Sequence, residues 1–167
     1  WQAHADGKNR IETAEVGEGQ AICLLDVTKA VRTASCRLRR ALPARPGSYR
    51  ISYRTMLRQG RAESLNQDMG FHLFDPGVLL DIFFSGGALK TWQGDAWTAL
   101  DPPVPWQADH WYRIVVEVSP ADGHATISVD GAKRKRVSLR RTGGAPTVLE
   151  FVSQRYATGE LWIDDVR

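Results

Sequence analysis

The chain has 167 residues, of which 43% are hydrophobic and 25% charged, which is enough to form the core of one domain without a metal or a disulfide. No apolar run approaches the roughly 18 residues of a membrane helix. The net charge of +3 is mild and rests mostly on arginine. Arginine suits bidentate contact with carboxylate, sulfate or phosphate, although a bias in genomic base composition would enrich it equally.

Alternating apolar and polar residues predict strands throughout the first half of the chain. The clearest is YRISYRTML, in which Tyr49, Ile51 and Tyr53 share one face and arginines occupy the other. Side chains alternate between the two faces along a strand, so this pattern is typical of a half-buried sheet. Strands are predicted in this half at residues 10–13, 20–26, 35–41, 49–57, 69–74 and 78–84.

A hairpin at residues 111–131 dominates the second half. Tyr112, Ile114, Val116 and Val118 share one face of its first strand, and Asp and Gly residues supply the turns. Further strands are predicted at residues 88–92, 97–100, 133–141, 147–153 and 160–166. No segment has a helical apolar period, and roughly eleven to thirteen short strands predict a sandwich or a barrel.

The two cysteines, Cys23 and Cys36, lie on apolar-patterned positions of neighbouring predicted strands. A disulfide between them would fit an extracellular protein. Two buried free thiols fit the pattern equally well. The absence of a CxxC motif and of a Cys/His cluster in the sequence argues against a zinc site.

Three stretches resemble the concanavalin A-like jelly-roll sandwiches, especially carbohydrate-binding modules and laminin G-like domains. They are GQAICL at 19–24, the succession GDAW at 94–97, HWYRI at 110–114 and SVDG at 128–131, and GELWIDDV at 159–166. The resemblance implies a two-sheet antiparallel β-sandwich. We expect residues 1–167 to form one such domain, a module of a longer protein that is secreted or displayed on the cell surface.

The resemblance also implies a structural calcium ion, which many such modules hold beside the closing strand. Asp164 and Asp165 match the acidic pair of that strand, and Glu12 or Asp26 could complete the site from the N-terminal region. Calcium takes six to eight oxygen ligands, many of them backbone carbonyls, so the sequence shows only part of such a site. The alternative is that the pair binds only backbone groups or an arginine.

Aromatic residues in loops and hairpins are candidates for stacking on sugar rings, which present flat faces of C–H groups. Trp106 follows Pro105 in a proline-rich loop and is the one most expected to be exposed, whereas Trp97 begins a strand and also fits the core. Trp111 and Trp162 lie within strands and are expected in the core. The predicted stacking residues are Trp92, Trp97, Trp106 and Tyr156, and the neighbouring Gln154 and Arg155 could bind hydroxyl or acidic groups.

Arginines recur in the outward phase of three predicted strands. If two of these strands are neighbours, they form a basic sheet face that could bind uronic acids or sulfated sugars. The alternative is a solvated face with acidic residues interleaved. The arginines concerned are Arg37, Arg39, Arg50, Arg54, Arg58, Arg134, Arg136 and Arg140.

The sequence contains only weak candidates for catalytic residues. Asp81 interrupts the apolar run VLLDIFF, and His72 could share its sheet face, so both are counted among the predicted carbohydrate-binding residues. A lyase could in principle use His72 with Gln154, Arg155 and Tyr156. The signatures of alginate lyase and glucanase sandwiches are missing, however, as are nucleophile-elbow, P-loop and dinucleotide motifs.

These observations favour a non-catalytic, lectin-like module that binds a polysaccharide by aromatic stacking and by Arg, Gln and His hydrogen bonds, and acidic polysaccharides are among the candidates. A polysaccharide lyase or glycosidase of the same fold is the first alternative. A structural accessory domain that packs on a neighbouring catalytic domain in the same chain is the second. Nucleic acid is not an expected partner, because no binding motif is present and aromatics do not interleave with the basic residues.

Overall fold

A computed structural model describes the chain apart from residues 7–8, 17–18, 27–35, 44–46, 59–68 and 154–158, and apart from the side chains of residues 16, 19, 26 and 133–135. The described residues form fourteen strands and no helix. The strands are β1 (Gln2–Ala5), β2 (Arg10–Val16), β3 (Gly19–Asp26), β4 (Cys36–Ala41), β5 (Tyr49–Arg58), β6 (Met69–Asp75), β7 (Gly77–Ser85), β8 (Ala88–Gln93), β9 (Ala96–Ala99), β10 (Trp111–Ser119), β11 (His124–Val129), β12 (Ala132–Ser138), β13 (Val148–Ser153) and β14 (Gly159–Asp164). Within this described part, nothing resembles a membrane-crossing helix in length and apolar character.

The strands form two antiparallel sheets of seven strands each. Sheet A has the order β1-β4-β13-β6-β7-β8-β9, and sheet B has the order β12-β11-β10-β5-β14-β3-β2. The predicted fold class, an all-β two-sheet antiparallel sandwich of the concanavalin A-like type, is confirmed. The sequence did not predict β1, because all four of its side chains are exposed and no apolar alternation marks it.

The core lies between the sheets and is built from the inward phase of each strand. Tyr112, Ile114, Val116 and Val118 of β10 are buried, as the alternation predicted. The ring of Tyr53 on β5 crosses to sheet A, where its centroid lies 5.3 Å from that of Phe71 and 5.0 Å from that of Phe151. Such aromatic contacts tie the two sheets together.

The hairpin of β10 and β11 leads directly into β12 through a tight turn at Asp130 and Gly131. Both residues have positive φ, 50° and 78°, as a two-residue hairpin turn of type I′ requires. The Asp130 carboxylate accepts a hydrogen bond from the backbone N–H of Arg113 at 2.8 Å. This side-chain contact ties the turn to the start of β10.

The structure places two of the tryptophans and both cysteines of the predicted strands. Trp111 and Trp162 lie on the outer face of sheet B rather than in the core, because they alternate with the buried, inward residues of β10 and β14. Arginines cover their rings and leave them half-buried. Cys23 and Cys36 are buried free thiols, so no disulfide joins them. Burial, helped by the nearby carboxylates of Glu160 and Glu12, raises the pKa of Cys23 to about 12, so this thiol is unreactive at neutral pH.

Candidate functional site

A row of polar residues crosses the outer face of sheet A, the face that points away from sheet B. The register places Gln2 of β1 opposite Arg39 of β4, and Arg39 opposite Glu150 of β13. Glu150 in turn lies opposite His72 of β6, and His72 opposite Asp81 of β7. Residues that face one another across strands share one side of the sheet, so these five side chains form a continuous line.

Four of these residues and Arg140 form a chain of ion pairs, here called the charged row. Arg39 pairs with Glu150, and Arg140 pairs with Asp81. Between the two acids lies His72, whose Nε2 is 3.3 Å from Asp81 Oδ1 and whose Nδ1 is 3.3 Å from Glu150 Oε1. The side chains of Glu150 and Asp81 are only 3% and 2% exposed. Buried charges of this kind persist only when they are paired and hydrogen-bonded.

The two carboxylates of the charged row differ in the direction of their pKa shifts. One ring nitrogen of His72 faces each of them. Burial raises the pKa of Asp81, and the charges of His72 and Arg140 offset this only in part. Burial also opposes ionisation of Glu150, but hydrogen bonds from His72 and Arg39 outweigh it and lower the pKa of that carboxyl. Glu150 is therefore the carboxylate whose charged form the row stabilises most.

An aromatic cluster borders the charged row at the β8–β9 side of sheet A and is here called the aromatic end. Trp92 and Trp97 are cross-strand partners whose rings meet edge to face at 5.4 Å, and Trp97 packs on Phe83 at 5.3 Å. The guanidinium of Arg140 lies over the Trp92 ring, 5.1 Å from its centroid. Both tryptophans are half-buried. One cation thus joins the charged row to the aromatic end.

An open pocket of about 370 Å³ lies at the opposite side of the same face and is here called the edge pocket. Its volume is within the usual range for small-molecule sites. Its lining combines two guanidinium groups, an imidazole and an amide. The imidazole, that of His4, also pairs with Asp6 at 2.9 Å. The lining residues are Gln2, Ala3, His4, Arg37 and Arg39.

The structure brings together some of the predicted carbohydrate-binding residues and separates others. Trp92, Trp97, His72 and Asp81 all lie on the outer face of sheet A. Trp106 is half-buried and packs against the core instead of projecting from its loop. The remaining three predicted residues, Gln154, Arg155 and Tyr156, lie outside the described residues.

Glu150 is the main site residue that the sequence reasoning missed. It interrupts the apolar stretch VLEFVS in the same way that Asp81 interrupts VLLDIFF. An acidic residue inside an otherwise apolar strand signals a buried and therefore paired carboxylate. That signal was used for Asp81 and could have been used for Glu150. Gln2 and His4 carried no such signal, because every side chain of β1 is exposed.

Two of the four residues predicted to bind calcium, Asp26 and Asp164, lie at opposite ends of β14. Asp26 pairs with Gly159 at the start of β14, whereas Asp164 is the last residue of that strand. Asp164 pairs with Arg54 at 3.5 Å, and Asp165 pairs with Arg167 at 2.7 Å. Among the residues whose side chains are described, no three His, Cys, Asp or Glu side chains converge as metal ligands. Calcium binding by this protein stays a prediction.

The remaining predicted arginines do not join into one basic face. β4 belongs to sheet A, and β5 and β12 are separated in sheet B by β10 and β11. On β5, Arg50 pairs with Glu117 at 3.1 Å and Arg54 pairs with Asp164. Arg58 pairs with Asp109 at 2.7 Å. Along β5, the outer face of sheet B is therefore the solvated, charge-matched surface that was the alternative interpretation.

Fold and site together define a concanavalin A-like jelly-roll domain with a polar and aromatic outer sheet face. No protein-family model and no curated protein matches the sequence. Among solved structures, the chain is similar to the cellulose-induced protein Cip1, with 12% identity, a TM-score of 0.78, and coverage of 100% of this chain and 89% of Cip1. It is also similar to AlgAT5, an alginate lyase of polysaccharide lyase family 7, with 11% identity, a TM-score of 0.66, and coverage of 97% and 82%.

A sialidase structure is a third similar protein, with 12% identity and a TM-score of 0.70. The match covers 94% of this chain but spans only 16% of the sialidase chain. Identities this low show a shared fold and nothing finer, because one sandwich fold serves many unrelated functions.

Proposed function

We propose that this protein is a carbohydrate-binding domain whose ligand lies across the outer face of sheet A. The observation that carries the proposal is the position of Trp92 and Trp97 on the same face as the charged row, joined to it by Arg140. Sugar rings stack on aromatic rings, and their hydroxyl groups need hydrogen-bond partners beside the stack. The outer face of sheet A offers both kinds of contact.

Buried carboxylates make this face well suited to binding. Glu150 and Asp81 hold Arg39 and Arg140 in place, while the two arginine side chains remain exposed. A ligand that meets positioned guanidinium groups loses less affinity to side-chain ordering than one that meets free arginines. The acids thus act through the arginines and are not themselves presented to a ligand.

The same burial argues for binding without catalysis. A glycosidase needs two carboxylates that reach the scissile bond from either side. The two carboxylates of the charged row are buried beneath their arginines, so a sugar on this face cannot reach either of them. We therefore place the domain among non-catalytic, lectin-like modules.

A polysaccharide lyase is the second candidate, and His72 is the observation that favours it. A histidine on this sheet face could act as a base on a uronate, and two alginate lyases are among the similar structures. His72 is 11% exposed and both of its nitrogens face carboxylates, which disfavours this role. A rise in the ultraviolet absorbance of unsaturated uronate during incubation with alginate or polygalacturonate would decide for the lyase.

We also propose that the domain is secreted or displayed on a cell surface as one module beside a catalytic domain. The match to a small part of a sialidase chain supports an attached module. Fractionation of cells that express the full-length natural protein would test its location, and recovery of the protein in the cytosol alone would contradict it.

Isothermal titration calorimetry against neutral and acidic polysaccharides tests the proposed function. We expect Trp92→Ala to weaken binding about tenfold, which corresponds to about 1.4 kcal/mol. Trp162→Ala is the matched control, because Trp162 is also half-buried beneath an arginine, Arg58, but on sheet B. Failure to bind any polysaccharide, or equal weakening by both variants, would contradict the proposal.

A further inference from the structure

The outer face of sheet A is cationic although it contains two acidic residues. In the charged row, Arg39 pairs with Glu150 and Arg140 pairs with Asp81, so each acid is matched by an arginine. The positive charges in excess of these pairs come from other residues of the same face. Two further cations, Arg37 and Lys90, lie on the same face. They are opposite Val152 and Phe83 of the neighbouring strands, respectively.

The edge pocket concentrates this charge where a ligand can reach it. Arg37 and Arg39 both line it, together with Gln2 and His4, and among the described residues no carboxylate lines it. Two neighbouring guanidinium groups bind a carboxylate or sulfate with several short, charge-assisted hydrogen bonds. A pocket that only had to hold neutral hydroxyl groups would not need two arginines.

The edge pocket and the aromatic end are too far apart for a single sugar to reach both. Strands in a sheet lie about 4.8 Å apart, and four strand intervals separate β4 from β8. Arg39 and Trp92 are therefore about 19 Å apart across the sheet. A ligand that contacts both ends must be a chain of several sugar rings that runs across the strands.

We propose that the ligand is an acidic polysaccharide, with one carboxylate or sulfate group bound by Arg37 and Arg39 in the edge pocket while another part of the chain stacks at the aromatic end. This inference rests on the proposed function and specifies the ligand class of the same face. Arg37 is the specificity-determining residue of the pocket. Arg39 supports it and is held in place by Glu150.

Matched pairs of polymers test the ligand class by titration calorimetry. Polygalacturonate and its methyl ester differ in their carboxylates, and dextran sulfate and dextran differ in their sulfates. We expect at least one acidic polymer to bind at least tenfold more tightly than its neutral match. The polymer pair that shows the difference identifies whether the edge pocket takes carboxylate or sulfate.

Arg37→Ala is the variant of choice, because Arg37 is exposed and its removal leaves the buried pairs of the charged row intact. We expect it to weaken binding of the acidic polymer about tenfold. Arg50→Ala is the matched control, an exposed arginine on the outer face of sheet B. Both variants should unfold at the wild-type temperature by circular dichroism.

The outcomes separate this inference from the proposed function. Equal binding of acidic and neutral polymers, or equal weakening by Arg37→Ala and Arg50→Ala, would overturn the acidic ligand while leaving a carbohydrate-binding face. Absence of binding to all four polymers, and to the neutral polysaccharides of the wider panel, would overturn both. Binding of an acidic polymer that depends on Arg37 and not on Arg50 would support both.

Discussion

The outer faces of the two sheets contain the same kinds of residue in different surroundings. On sheet A, Glu150 lies opposite Arg39 on the neighbouring strand, and on sheet B, Glu117 lies opposite Arg50. Each pair forms a cross-strand ion pair, but the Glu150 side chain is 3% exposed and the Glu117 side chain is 52% exposed. Burial of the acidic partner, rather than the number of arginines, distinguishes the candidate site from a solvated surface.

On the outer face of sheet B, where we expect no ligand, two arginines each contact both a tryptophan and an acid. The guanidinium of Arg54 lies 5.0 Å from the centroid of Trp111 and that of Arg58 lies 5.2 Å from the centroid of Trp162, and both arginines also pair with acids. Their cation–π and ionic partners lie side by side within the sheet. On sheet A, Arg140 pairs with Asp81 and Trp92 in the same way. What sheet A has in addition is the edge pocket at the other side of the face, which leaves a long surface for an extended ligand.

The largest effect that we expect is on the free energy of unfolding when the acidic partner of each ion pair is removed. Glu150→Ala leaves His72 and Arg39 without their buried acid, and we expect the free energy of unfolding to fall by about 3 kcal/mol. Glu117→Ala removes an exposed partner and should cost about 0.5 kcal/mol. Urea denaturation of both variants measures the difference, and similar losses would show that burial does not set the strength of these pairs.

The contribution of Glu150 to the free energy of unfolding should depend on pH more strongly than that of Glu117. Because the folded pKa of Glu150 lies below its ordinary value of 4.5, the stability it confers is fully present above pH 4.5 and is lost as the pH falls through the folded value. Glutamine cannot titrate, so the stability gap between wild type and Glu150→Gln should shrink on acidification. Glu117→Gln is the control in the same denaturation series. A gap that stays constant from neutral pH into the acid range would contradict the lowered pKa.

The strands and their buried faces could be predicted from the sequence, whereas the meeting of the site residues could not. Alternation identified the inward faces of β5 and β10 because burial on one side of a sheet imposes a period of two. Glu150 and His72 are opposite each other in β13 and β6 although 78 positions separate them in the chain. No local pattern encodes which strands become neighbours.

Two tryptophans were wrongly expected in the core. Trp111 and Trp162 are apolar residues within strands, which favoured the core, but they occupy the outward phase of β10 and β14. Arg54 and Arg58 from β5 cover their rings there. An arginine stem can shield apolar surface as a core neighbour does. Trp106 shows the reverse, since a position in a proline-rich loop still packs against the core.

The smallest effect we expect is that of calcium. Any ion at Asp164 and Asp165 must compete with Arg54 and Arg167, so millimolar calcium should stabilise the protein by no more than about 1 kcal/mol. Thermal unfolding with calcium and with a chelator measures this, and Asp165→Asn is the control. Identical melting temperatures in both solutions would contradict the calcium prediction.

Binding on sheet A rather than sheet B is tested most directly by the indole N–H signals of the six tryptophans in nuclear magnetic resonance spectra. The ¹⁵N-labelled protein would be titrated with oligosaccharides cut from the tightest-binding polysaccharide, after Trp→Phe variants have assigned each signal. We predict that the signals of Trp92 and Trp97 shift while those of Trp111 and Trp162 remain in place. Shifts confined to Trp111 and Trp162 would place the ligand on sheet B and contradict the account.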